Sequence, residues 1–139
     1  MTTRTPARRG KTTRSRARAK GAAALLRVVL GALDDMKAVN LKVIDVRGLT
    51  DVADTLVIVS GTSDRHVRSL AEHVVTQAKA NGLRPLGMEG EREGEWVLVD
   101  LQDIVVHVML PRVREFYALE RLWEAGPAAE APAHTASHP

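Results

Sequence analysis

The chain of 139 residues contains no cysteine, which excludes disulfides, thiolate nucleophiles and sulfur-ligated metals. That composition suits a reducing compartment, and a cytoplasmic protein is the expectation. No apolar run approaches the ~20 residues that a membrane-spanning helix requires, and no short apolar core follows Met1 as in a secretory signal. No membrane role is expected, and no internal repeat divides the chain. Acidic residues are missing from the first twenty positions, where Arg4, Arg8, Arg9, Lys11, Arg14, Arg16, Arg18 and Lys20 stand. With 20 bases and 17 acids in all, those eight leave twelve bases against seventeen acids in the remainder, a balance of −5.

The length accommodates one domain with a real core. The reading is therefore an acidic domain over residues 22–126 on a basic leader of residues 1–21, followed by an Ala/Pro-rich tail over 127–139. Neither end has enough apolar surface to fold alone. The leader admits three readings: a solvated extension, an RNA contact through its positive charge, and an organelle transit peptide. The acidic remainder should repel nucleic acid and favour a basic protein partner.

Leu25, Val28, Val29, Leu33 and Met36 recur at helical spacing, predicting a helix from Ala22 to about Val39. "LKVIDVRG" (Leu41–Gly48) and "TLVIVSG" (Thr55–Gly61) are strand candidates, the second apolar enough to be buried on both faces. From "SGTSDRH" onward the period becomes 3.6. Thr62 or Ser63 can cap a helix there, and Val67, Leu70, Ala71, Val74, Val75 and Ala78 form its inner stripe. Asn81-Gly82 closes it. "RPLGMEG" is a short strand and "EREGE" an acidic turn. Pro111 opens a last helix with Val113, Phe116, Leu119 and Leu122 as its apolar side. The sum is α/β: a single-domain mixed β-sheet of about five strands flanked by helices.

"WVLVDLQDIVVHVML" (Trp96–Leu110) carries the functional question. With Gln102-Asp103 as a hairpin turn, Leu101, Ile104, Val99, Val106, Val97 and Val108 share one aliphatic face. The other pairs Asp100 with Val105, Leu98 with His107, and Trp96 with Met109. That blend suits a protein-docking patch. Packing of Trp96 and Met109 under a helix fits the pattern equally well.

Catalytic and metal readings are weaker. Asp100 and Asp103 lie three apart with no base fixed beside them, and His107 is a single strand histidine. No catalytic residue is assigned. His66 and His73 are separated by roughly 10 Å along a helix at 1.5 Å per residue, too far to share zinc. His134 and His138 fall in the Pro-rich tail. "SGTSDRH" could present helix amides to a phosphate, but it lacks the residues of a complete phosphate loop. Glu89, Glu91, Glu93 and Glu95 read as a solvated acidic turn. No metal and no cofactor is expected.

Four ordered stretches carry a resemblance: "SGTSDRHVRSLAEHVV", "LRPLGMEGE", "WVLVDLQDIVVHVM" and "REFYALERLW". Together they resemble the ribosomal silencing factors, or Iojap-like family, over roughly Leu25 to Trp123. The resemblance implies a nucleotidyltransferase-like fold without its catalytic carboxylates. It implies a protein that binds the large ribosomal subunit through ribosomal protein number fourteen, blocks subunit joining, and represses translation under nutrient limitation. A homodimer when free is a further expectation. By the family motif, Trp96, Asp100, Asp103, His107 and Met109 would form the docking surface. The alternatives are a nucleotidyltransferase-like enzyme and an RNA-binding protein acting through its leader.

Overall fold

A computed structural model describes residues 21–51 and 53–121. The rest of the leader, Leu122, the expected tail, and His134 with His138 lie outside the described residues. Helix α1 occupies residues 21–35. It is followed by β1 (Val39–Asp45), β2 (Thr55–Ser60), α2 (Asp64–Ala80), β3 (Gly87–Glu89), β4 (Trp96–Asp100), β5 (Ile104–Met109) and α3 (Pro111–Tyr117).

The five strands form one sheet in the order β1-β2-β5-β4-β3. β2 and β5 run parallel, while every other neighbouring pair is antiparallel. The parallel pair requires a crossover, which α2 supplies on one face of the sheet. α1 packs beside it. Leu25, Val29 and Leu33 of α1, Val67, Leu70, Ala71 and Val74 of α2, and Val57, Val59, Val97, Val99, Val106 and Val108 from the sheet make one buried cluster. A smaller cluster on the opposite face gathers Ile44, Val46, Ala53, Leu56, Ile58, Val105, Met109 and Val113, roofed in part by α3.

The two long helices end alike. At α1, Lys37 takes a left-handed φ of 60°, while Ala38 and Lys37 donate to the carbonyls of Leu33 and Asp34. At α2, Gly82 has a φ of 82°, and Leu83 and Gly82 donate to Ala78 and Lys79. This crossed pair of bonds satisfies carbonyls that the helix end would orphan. Gly82 advertises the stop, whereas Lys37 does not. The helix expected to reach Val39 therefore ends at residue 35, and β1 begins where helix was expected.

Ser63 is the cap of α2, its hydroxyl accepting the His66 amide at 3.0 Å. Gly61 precedes it because a Cβ there would sit 2.8 Å from the Val67 side chain. Of the stripe expected along α2, only Val75 is not fully buried.

The last helix departs from expectation. Its inward line is Leu110, Val113 and Arg114, so the apolar spacing through Phe116 is overturned: Phe116 is 80% exposed. Arg114 takes the inward place because its charge is fully engaged. Its guanidinium donates to Glu120 through Nε at 2.8 Å and Nη2 at 3.1 Å, and to Ser60 Oγ at 3.1 Å. A paired, hydrogen-bonded arginine can occupy a site that an unpaired one cannot. Ala118, left-handed at a φ of 48°, then breaks the helix before Leu119.

Candidate protein-docking site

The β4–β5 hairpin has the expected register: Trp96 faces Met109, Leu98 faces His107, and Asp100 faces Val105. Leu101 donates to Ile104 across a two-residue turn at 2.9 Å. Gln102 sits at a φ of 78° and Asp103 donates back to Leu101 at 3.0 Å, a γ-turn inside the hairpin. Positive φ is unfavourable for glutamine. The Asp100 carboxylate offsets it by accepting the Gln102 amide at 2.9 Å. Asp103 braces from the backbone, its carbonyl accepting the Asp54 and Thr55 amides.

Because the register holds, the two faces separate. Val97, Val99, Val106 and Val108 are all at 0% exposure beneath α1 and α2. The mixed face is graded. Met109 is fully buried and His107 is 8% exposed, so neither offers much surface. Trp96, Leu98 and Asp100 on β4 are half-buried. The helix-packing reading accounts for Met109, which lies beneath Val113 and its neighbours, while the β4 row is partly open to solvent.

Around Trp96 the side chains form a ridge. Its indole N–H donates to His107 Nδ1 at 2.9 Å. Its ring lies 4.9 Å from Tyr117, which in turn meets Phe116 edge-on at 4.9 Å. Tyr117 is 57% exposed, so two aromatic rings stand in water at the rim. Such rings, half supported and half open, are the typical anchors of protein interfaces. Burial pushes the His107 imidazole down to about 4, so it is neutral at ordinary pH. Asp100 lies four residues from Trp96 on the same face, roughly 13 Å away at 3.3 Å per residue. The patch is therefore aromatic at one end and acidic at the other.

Sequence reasoning missed Phe116 and Tyr117. A signal existed: the chain has two Trp, one Tyr and one Phe, and all four fall between Trp96 and Trp123.

The phosphate reading of "SGTSDRH" weakens on inspection. The Thr62 amide, one that an anion would use, donates instead to His66 Nδ1 at 2.8 Å, and His66 Nε2 donates to the Met36 carbonyl at 2.7 Å. His66 thereby joins the β2–α2 turn to the end of α1. The neighbouring cleft also carries Asp64, Glu93 and Glu95, which repel phosphate. Glu91 and Glu93 are exposed on the turn, and Glu95 pairs with Arg112 at 3.3 Å. Among the described residues no cluster of three His, Asp or Glu could hold a metal, and none of the described helices is long and apolar enough to cross a membrane.

Fold and site together define a small mixed α/β domain with a partly open sheet face, and comparisons with known proteins place it in a family. The family model described as "Ribosomal silencing factor during starvation" matches residues 19–139. A ribosomal silencing factor from Bacillus subtilis is 41% identical over 106 residues, covering 76% of this chain and 90% of the relative. A more distant relative, the mouse "Mitochondrial assembly of ribosomal large subunit protein 1", is 34% identical over 99 residues, or 69% of this chain and 43% of its own. A crystal structure from Chromobacterium violaceum superimposes with a TM-score of 0.72 at 39% identity, over 73% of this chain and 85% of that one. The chain belongs to the ribosomal silencing factor family. The bacterial relative is named as a ribosomal silencing factor and the mouse relative as a ribosome-assembly protein.

Proposed function

We propose that this protein docks on the large ribosomal subunit through ribosomal protein number fourteen and holds off the small subunit, repressing translation under nutrient limitation in the cytoplasm. The observation that carries the reading is the half-open aromatic ridge of Trp96, Tyr117 and Phe116 on an otherwise acidic domain. Apolar rings supply the anchor, and acidic Asp100 and Asp103 at the hairpin tip suit a basic ribosomal protein. His107 and Met109 belong to the same face as its floor. The action is by occupancy: the acidic turn of Glu91, Glu93 and Glu95 is a poor frame for catalytic metals. The nucleotidyltransferase-like relationship is then one of fold, not of chemistry. The basic leader adds a contact to ribosomal RNA, and the free protein forms a homodimer.

Sedimentation of the full chain with purified large subunits, alone and with small subunits present, tests this. The protein should travel with the large subunit and reduce the joined fraction, saturating at one domain per subunit. Trp96→Ala should weaken binding tenfold or more, as loss of an interface anchor does. Deleting residues 1–20 should flatten the salt dependence of binding, because fewer phosphate counterions are released. One protein inactivating many subunits, or Trp96→Ala binding as the parent does, would overturn the proposal.

A further inference from the structure

His107 is one of two buried polar side chains in the described core, the other being Ser60. Its strand neighbours are Val105, Val106 and Val108, and another valine there would fill the space without the penalty of burying an imidazole. The imidazole therefore needs a reason. Its surface is too small to touch a partner, at 8% exposure. What it does is accept: Nδ1 takes the Trp96 indole proton at 2.9 Å, which places the imidazole's own proton on Nε2. The contact runs diagonally across the ladder, since His107 is paired with Leu98 and Trp96 with Met109.

We propose that His107 is a positioning residue for docking, an acceptor that fixes the Trp96 ring, and through it Tyr117 and Phe116, in the orientation the partner engages. This rests on the docking reading above. The reasoning is one of preorganisation. The torsion that swings an indole plane is broad, so burial of one edge leaves its direction loosely set. A hydrogen bond from the only polar atom of the ring selects one direction. Tyr117 then packs against the held ring at 4.9 Å, and Phe116 packs edge-on to Tyr117 at 4.9 Å. A series of contacts thus runs from a buried strand to a phenyl ring that is 80% exposed. Rings ordered before encounter need not be ordered during it, which favours binding without any new contact.

The test is a double-mutant cycle in a Trp123→Phe background, which leaves Trp96 as the only indole. His107→Phe keeps a ring of similar size but has no acceptor. His107→Asn keeps an acceptor oxygen where Nδ1 stands. Binding to purified large ribosomal subunits is measured alongside urea melts and Trp96 fluorescence anisotropy. His107→Phe should weaken binding about tenfold and lower the anisotropy, consistent with one lost hydrogen bond and a loosened ring. His107→Asn should restore most of both. In a Trp96→Phe background, His107→Phe should have no further effect on binding. If His107→Phe fails to fold, His107→Leu serves as the acceptor-free arm. Parent-like binding by the acceptor-free variant, an equal loss in the Trp96→Phe background, or no rescue by asparagine would overturn the positioning role. Parent-like binding by Trp96→Phe alone would overturn the docking reading instead.

Discussion

The two faces of the sheet are made by the same strands, yet they are finished differently. One lies under α1 and α2 and is aliphatic throughout, with Val57, Val59, Val97, Val99, Val106 and Val108 all at 0% exposure. Among the described residues the other is roofed by the seven residues of α3, by Leu119 and by the segment after β1, and it carries indole, imidazole, thioether and carboxylate side chains. The first face is complete within the chain. The second is complete over β2 and β5 but open over β4. A strand alternates its side chains between faces, so β4 and β5 can serve folding with one set of residues and recognition with the other.

The contrast can be broken most severely at its closed side. Val106→Asp places an unpaired carboxylate in the helix-covered core, and the expected result is loss of the cooperative thermal transition by circular dichroism. A domain that still melted cooperatively near the parent temperature would mean that this face is less closed than described.

Truncation sharpens the comparison by treating both faces alike. Leu70→Ala beneath the closed face should cost about 2–5 kcal/mol in urea unfolding. Phe116→Ala at the open face should stay within about 0.5 kcal/mol, while weakening large-subunit binding severalfold. Equal stability losses would place Phe116 in the core after all.

Acid should distinguish the faces too. His107 is pushed down from 6.5 to about 4 by burial, so between those values the unfolded chain binds a proton that the folded one resists. Stability should accordingly rise as pH increases from about 4 to 6.5, by a few kcal/mol in all at ~1.4 kcal/mol per unit. His107→Phe should remove that part of the slope. A slope unchanged by the substitution would assign it to other groups.

The smallest effect belongs to the rim. Arg112 and Glu95 form an exposed pair at 3.3 Å with side chains 69% and 52% accessible. Arg112→Ala should change stability by less than about 1 kcal/mol, as exposed pairs do, and a double-mutant cycle with Glu95→Ala measures it.

Local chemistry made much of this legible in advance. The register of the hairpin followed from counting outward from Gln102-Asp103, although neither residue favours the positive φ that Gln102 adopts. The Asp100 carboxylate supplies what the dipeptide lacks, and that is a contact rather than a propensity. α2 was readable from Ser63 to Gly82 because its cap, its stripe and its glycine stop agree with one another. α1 was readable as a helix but not in length, since Lys37 ends it in a conformation that glycine usually marks. β1 was displaced for a related reason: Asn40 has a φ of 53° and the pairing register shifts between Val39 and Lys42. The candidate site was half legible. Trp96 and the face it shares with Asp100 came from alternation, whereas Phe116 and Tyr117 went unnoticed as surface residues.

Periodicity and capping, which depend only on neighbours in the chain, are enough to settle the strand faces and the extent of α2. Which of the two faces closes is different, because it depends on groups brought together from far apart. Arg114 faces inward only because Ser60 and Glu120 are there to receive its protons, and that rotation turns Phe116 out into water. No apolar count along α3 contains those partners. Charge can be buried where tertiary contacts satisfy it, and the outward turn of Phe116 accompanies that one satisfied arginine.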